Sequence, residues 1–324
     1  MITLYFGETP HRFPNAWEEL TAGQYLRLVE LLGLFWAGAL SMCDLRIAFF
    51  RYIAGLEHIR VPAHARERFF DNLLTASRQF DFFFTLDYGN RIDHLSADVR
   101  KLLRKRPPDE LLSDSAEIRY ARTLEYEYRI DAVWVGNLLP TIRLKDDVLF
   151  GWRANLEGGA LTTSLSSYQY AQGYDLLMAI GEGANRRAMA LLVGLLYGVD
   201  TNDTARIEQI ERLPDILLQA VVLNFQAFVT FIFTRTAFSV LWSADSDRPK
   251  RQERISMSDS LYGLCKDGYG NYEQVEKMPL LTYLGIMRAE TIQAVRSMAT
   301  DDTTPEEIAG RMGLSVGQVK RMLC

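Results

Sequence analysis

Cysteine is scarce in this chain, and its placement excludes a class of scaffold. The three present, Cys43, Cys265 and Cys324, are odd in number, far apart and free of C-x-x-C spacing. Neither a disulfide framework nor a structural zinc site is built that way. Histidine is equally thin. The four residues His11, His58, His64 and His94 share no one-turn spacing with each other or with a cysteine, so no metal ligand set is expected. An excess of positive charge is also missing: 36 basic residues face 41 acidic ones, a net charge of -5. That balance disfavours broad binding to nucleic acid or anionic membrane. The opening residues MITLYFGETPHRF lack a basic segment followed by an apolar stretch, and a reducing cytoplasm is the expected compartment.

Several short motifs invite a catalytic reading and fail it. Gly313-Leu314-Ser315-Val316-Gly317 matches G-x-S-x-G, but a nucleophile elbow joins a strand to a helix and its histidine follows later in the chain. Here the preceding residues read as helix, and all four histidines lie upstream. The glycine pairs around Glu182 and Tyr269 lack both the full G-x-G-x-x-G and a P-loop lysine, so they read as turns. The doublets Asp146-Asp147 and Asp301-Asp302 fall in expected loops, with nothing to raise a pKa by burial. Asn202-Asp203-Thr204 is a glycosylation sequon that a cytoplasmic location leaves silent. No residue is assigned a catalytic, cofactor or metal role, and the chain is expected not to be an enzyme.

What is present is an ordinary globular composition, 48% apolar and 24% charged, over a length suited to more than one domain. Helical periodicity dominates: segments near 15–34, 44–54, 63–80, 166–180, 184–197, 204–212 and 215–241 all carry it. Asn15, with Glu18 three positions on, offers a start for the first of these. β-prone stretches are ITLYF at 2–6 and the region 120–150, where Gly136-Asn137 and Lys145-Asp146-Asp147 are the expected turns. The fold class is therefore mainly α, with small β elements near the N-terminus and around 120–152. The aromatic run FDFFFTLDY at 80–88 is expected in the core. The run 216–233 approaches a spanning length, but Gln219, Asn224 and Gln226 interrupt it and Arg235 follows, so a buried core helix is expected and no membrane.

RKRPPDELLSDS at 104–115 combines a proline pair with clustered charge and is the best linker. It sets a first domain at 1–103, a second at 116–242 and a C-terminal helical tail at 255–324. The basic run Arg104-Lys105-Arg106 reads as a solvated helix end. SADSDRPKRQERIS at 243–256 reads as a mobile loop.

The most informative pattern is a repeat. LTAGQYLRLVELL from Leu20 and LSSYQYAQGYDLL from Leu165 both fit L-[TS]-x-x-Q-Y-x-x-x-x-x-L-L. Each follows a β-prone segment (ITLYF; TIRLKDDVLF) and precedes a second helix ending in glycine, an internally duplicated strand–helix–helix unit. The Thr or Ser caps its helix, the Leu staples the first turn, and the Tyr ring packs with its hydroxyl wet. Gln24 and Gln169 are expected to bond backbone. Chance similarity of two amphipathic helices is the alternative.

Two surfaces remain. Tyr262, Tyr269, Asn271 and Tyr272 form a glycine-spaced tyrosine turn suited to a protein contact, since tyrosine offers area at low entropic cost. The alternative is that these rings plug a helical corner. Residues 303–324 resemble a helix-turn-helix: Thr304 caps, Pro305 opens the helix, Gly313 breaks it and Ser315 caps a second helix with Val316, Val319 and Met322 inward. Arg311, Ser315, Gln318, Lys320 and Arg321 would face DNA, although three basic against four acidic residues from Asp301 onward is a poor balance for that.

WEELTAGQYLRLVELL with its echo NLLPTIRL…LTTSLSSYQY, together with SLYGLCKDGYGNYEQVEKMPLLTYL, resembles proteins of prophage tail modules grouped with tail-assembly chaperones. The resemblance covers the first sixty residues, 137–200 and 258–293. It implies a phage structural or assembly adaptor whose partner is another protein, a tail or tape-measure component. A DNA-binding regulator is the alternative.

Overall fold

The computed structural model describes residues 1–6, 8–145, 147–183, 185–241, 257–299 and 303–323. The expected loop at 243–256 lies outside them. Helices predominate, and the described strands form four separate two-stranded antiparallel sheets. The chain divides into two compact units, Met1–Ala132 and Val133–Cys324, where three parts were expected.

The first unit opens with a hairpin, β1 (Ile2–Phe6) and β2 (Thr9–Phe13), in register Ile2↔Phe13. Helices α1 (Ala22–Trp36), α2 (Met42–Ile53) and α3 (Arg66–Ser77) follow. Strand β3 (Phe84–Asp87), helices α4 (Ala97–Leu103) and α5 (Ala116–Ala121), and strand β4 (Glu127–Ile130) complete it. α1 starts at Ala22 because Thr21, and not Asn15, provides the cap; the Asn15 amide is taken by the Glu19 carboxylate at 2.6 Å. The core is aromatic as expected. Phe80, Phe83 and Phe84 are fully buried, with Phe50 and Phe80 ring centroids 5.5 Å apart and Phe82 edge-on to Phe83 at 5.3 Å.

The linker expected at 104–115 is a correction. Pro107 and Pro108 are buried, Leu111 is buried, and Pro108–Glu110 forms a single 3-10 turn. Glu110 receives Arg46 of α2 in a two-pronged contact, Nη1 to Oε1 at 2.8 Å and Nη2 to Oε2 at 3.1 Å. Arg46 is only 3% exposed, donates Nε to the Ser77 carbonyl at 3.3 Å and lies 5.5 Å over the Phe84 ring. A charge that deep needs its counter-ion, so the segment carrying Glu110 is packed in place. Two cations of the basic run beside it have partners: Lys105 reaches Asp131 at 3.3 Å and Arg106 reaches Asp81 at 3.6 Å.

The second unit begins with two hairpins, β5 (Thr141–Leu144) with β6 (Asp147–Phe150), and β7 (Ala154–Glu157) with β8 (Ala160–Thr163). Then come α6 (Ser167–Glu182), α7 (Arg186–Leu196), α8 (Thr204–Glu211) and α9 (Asp215–Arg235). After the short 3-10 segment Ala237–Leu241 follow α10 (Asp259–Lys266), α11 (Tyr272–Glu276), α12 (Leu280–Met298), α13 (Pro305–Met312) and α14 (Val316–Leu323). Helix α9 is long and apolar enough to cross a membrane, yet most of its apolar window is buried inside the protein. Two of its three amides, Gln219 and Gln226, face outward. The third, Asn224, is 1% exposed: its Oδ1 accepts the Trp134 indole N–H at 2.8 Å and the Leu138 amide at 3.4 Å, and its Nδ2 donates to Asn137 Oδ1 at 2.6 Å. The polar interruptions of the run are thus two wet side chains and one satisfied buried hub.

The repeat has the same local form twice. Thr21 with Gln24, and Ser166 with Gln169, close reciprocal capping boxes. Gln169 also donates Nε2 to the Leu195 carbonyl at 3.1 Å. Both second helices end before a left-handed glycine, Gly55 at φ 68° and Gly198 at φ 72°. Two expectations need correction. TIRLKDDVLF forms β5 and β6, and the intervening β7–β8 hairpin is what precedes α6. The tyrosines are not wet: Tyr25 and Tyr170 are fully buried, and the Tyr170 hydroxyl finds no partner among the described residues. Burial raises that phenol's pKa well above its usual value.

Candidate functional site

The tyrosine turn is built on α10 and α11. Leu261 and Leu264 bury the inner face of α10 and leave Tyr262 on the outer one, 55% exposed. The chain then reverses through Gly268 at φ 86° and Gly270 at φ 144°, where a side chain is strained. At Gly270 an added Cβ would also meet Gln274 Oε1 at 3.0 Å. The reversal brings Tyr272 back onto Tyr262, stacked with centroids 4.9 Å apart and planes at 24°. Burial, then the neighbouring Tyr262, raises the Tyr272 phenol. Tyr269 stands exposed on the turn, its phenol raised chiefly by a hydrogen bond to Glu290 of α12.

Asn271 is exposed and closes a capping box. Its Oδ1 accepts the Gln274 amide at 2.9 Å, and Gln274 Oε1 accepts the Asn271 amide at 3.0 Å. It caps α11, while Tyr262 stacks on Tyr272 and Tyr269 stands exposed on the turn. Tyr272 packs against Tyr262 at the corner, and Tyr262 and Tyr269 present area to solvent.

The corner is held by residues without a sequence signal. Asp175 of α6 accepts the amides of Met257 and Ser258 at 2.9 and 3.2 Å and the Ser258 hydroxyl at 2.7 Å, which fixes the entry to α10. Gln172 donates to the same hydroxyl at 2.9 Å. Beyond α11 the chain runs antiparallel to the start of α6: Ser167 N donates to the Met278 carbonyl at 2.8 Å, and Leu280 N to the Leu165 carbonyl at 3.0 Å. A lone aspartate in a helical stretch and an extended trio around Pro279 carry no pattern that would pair them across eighty or more residues.

The C-terminal segment has the helix-turn-helix form. Thr304 and Glu307 close a capping box, Pro305 takes the first position, and Gly313 turns the chain in the left-handed region at φ 64°. Ile308, Ala309, Val319 and Met322 pack with Val295 of α12 into one cluster. G-x-S-x-G therefore lies in a helix–helix turn, which is no nucleophile elbow. The proposed DNA-facing set is divided. Arg311, Lys320 and Arg321 are exposed. Gln318 is 1% exposed and turned inward: Nε2 donates to the Val240 carbonyl at 2.8 Å, and Oε1 accepts the Ser315 amide at 2.8 Å. Ser315 itself accepts the Gln318 amide at 3.2 Å. Lys320 lies 3.7 Å from Glu306. A base-reading glutamine must be free at its amide, so Gln318 and Ser315 serve the cap and three cations remain on this face.

The histidines sit apart: His11 on β2 stacks on Phe13 and His94 lies edge-on to Tyr120. No group of three or more His, Cys, Asp or Glu suited to a metal ion occurs among the described residues. In comparisons with known proteins, no family model, curated sequence or solved structure matches the chain.

Proposed function

We propose that the chain is a non-enzymatic adaptor that binds another protein, in the assembly of a phage or prophage tail. The observation that carries the reading is the pre-stacked Tyr262–Tyr272 pair, with Tyr262 and the turn residue Tyr269 exposed, on a corner that its own cap and Asp175 hold in place. Aromatic anchors already held in place lose little conformational freedom on binding, and such residues dominate interface energetics. The partner class follows from the resemblance stated above, an apolar helical tape-measure component. Co-expression with a tail tape-measure protein is expected to keep that protein soluble and co-purifying. Replacing Tyr262 and Tyr269 together by alanine is expected to weaken the complex by roughly a hundredfold, at 1–2 kcal/mol per anchor. A neighbourhood with no tail genes, or a tape-measure protein that stays insoluble, overturns the reading.

A second reading has its own observation, the Gly313 turn and cluster of the C-terminal helices, with Arg311, Lys320 and Arg321 outward. It makes the chain a DNA-binding regulator. Under it, a gel shift at moderate salt shows retention that Arg311→Glu with Lys320→Glu abolishes. Retention unchanged in the double variant rules it out.

A further inference from the structure

The two L-[TS]-x-x-Q-Y motifs start their helices alike but differ in what lies against them. Both cap residues are extended, Thr21 at φ -71°, ψ 159° and Ser166 at φ -84°, ψ 164°. The carbonyl before the cap and the amide after it therefore leave each helix start in the same sense. At the second motif both groups are taken. Leu165 O accepts from Leu280 N at 3.0 Å and Ser167 N donates to Met278 O at 2.8 Å, so Met278-Pro279-Leu280 lies along the start of α6 as a short antiparallel strand. Proline sits at its centre, opposite Ser166, where no N–H is called for.

At the first motif Thr21, Ala22 and Gly23 are exposed, and among the described residues no strand bridges Leu20 and Ala22 in this way. We propose that Leu20–Gly23 is a docking edge for an extended segment of a partner protein, apolar–proline–leucine in the register of Met278-Pro279-Leu280. The helix start alone would not identify a ligand; the strand already seated on its twin does. Main-chain pairing of this kind gives affinity with little demand on side chains. One difference weakens the first site: Ala22 stands where Ser167 also donates its hydroxyl to the Val275 carbonyl. The edge is separate from the tyrosine corner, so either can fail alone.

The test uses the full chain and a labelled peptide of residues 274–281, Gln-Val-Glu-Lys-Met-Pro-Leu-Leu. The Ala22 amide resonance is expected to shift saturably as peptide is added. Ala22→Pro removes only that N–H: proline is tolerated at a first helical position, and Thr21 already has the extended backbone that a following proline requires. The variant should keep the melting profile of the wild type and bind peptide roughly tenfold more weakly or worse. Ala22→Ser restores the hydroxyl of the second motif and should tighten binding severalfold. No shift at Ala22 with millimolar peptide, or equal binding by Ala22→Pro, overturns the proposal. Self-association without peptide that Ala22→Pro abolishes would assign the edge to a second copy of the chain, and overturns it too.

Discussion

Glu110→Ala is expected to destabilise the first unit by about 3 kcal/mol or more, because it strands the Arg46 guanidinium in the core. The arithmetic turns on what each partner can do alone. Arg46 is 3% exposed and cannot reach water by rotating outward, while its Nε stays tied to the Ser77 carbonyl. Without Glu110 its two Nη groups lose both acceptors, and the nearby Arg78, 3.7 Å from the same carboxylate, becomes an unscreened like charge. Attraction between the pair is a poor guide to its worth, since desolvating two ions offsets most of it. The informative comparison is therefore the double change. Arg46→Met with Glu110→Leu should recover most of the loss. Thermal unfolding is the measurement, with a drop of roughly 10 °C expected for Glu110→Ala. A drop under about 2 °C would show that Arg46 finds water or another acceptor, and the structural role given to 104–115 would fall with it.

Asn224→Leu is expected to cost about 3 kcal/mol in the second unit, by a different route. The substitution keeps the branched shape and suits an apolar helix, so propensity alone would favour it. It fails because two donors point at Oδ1, the fully buried Trp134 indole and the half-buried Leu138 amide, and both lose that acceptor. An orphaned buried donor costs about 1–3 kcal/mol, and the Trp134 indole is one; the Leu138 amide and Asn137 Oδ1 lose a partner besides. Hydrogen exchange at α9 amides reads the effect, with protection falling roughly a hundredfold. If Asn224→Leu proves neutral or stabilising, α9 is held by its apolar faces alone and the polar hub is incidental.

These two residues also mark where the sequence stops being readable. Much that depends on a few neighbouring positions was legible: the helix-rich class, the capping of α1 by Thr21 and α6 by Ser166, the glycine stops at Gly55 and Gly198, the hairpin turn at Lys145. Such signals act within one or two turns of chain. Pairings across long separations were not. The proline pair at 107–108 looks the same in sequence whether it spaces two domains or docks in a core, and only Arg46, 64 residues before Glu110, decides. The hairpin β7–β8 was missed because Ala154–Glu157 and Ala160–Thr163 have weak strand character and an exposed alternation. Gln318 fits a DNA-reading helix by spacing, and the Val240 carbonyl that claims its amide lies 78 residues earlier. In the candidate site the tyrosines were visible as a composition, whereas Asp175 and the Met278–Leu280 strand that hold them were not.

The return of Met278–Leu280 to the start of α6 has a consequence for the order of events on the ribosome. The first unit has all its strands and helices by Ala132 and can close while the rest is still being made. Helix α6 emerges early in the second unit, but its opening amide and the carbonyl before it must wait more than a hundred residues for their partners. Until the ribosome passes Leu280, that half of the newborn chain carries the apolar α9 while the start of α6 is still unpaired, and this interval is when it has most need of protection from its neighbours.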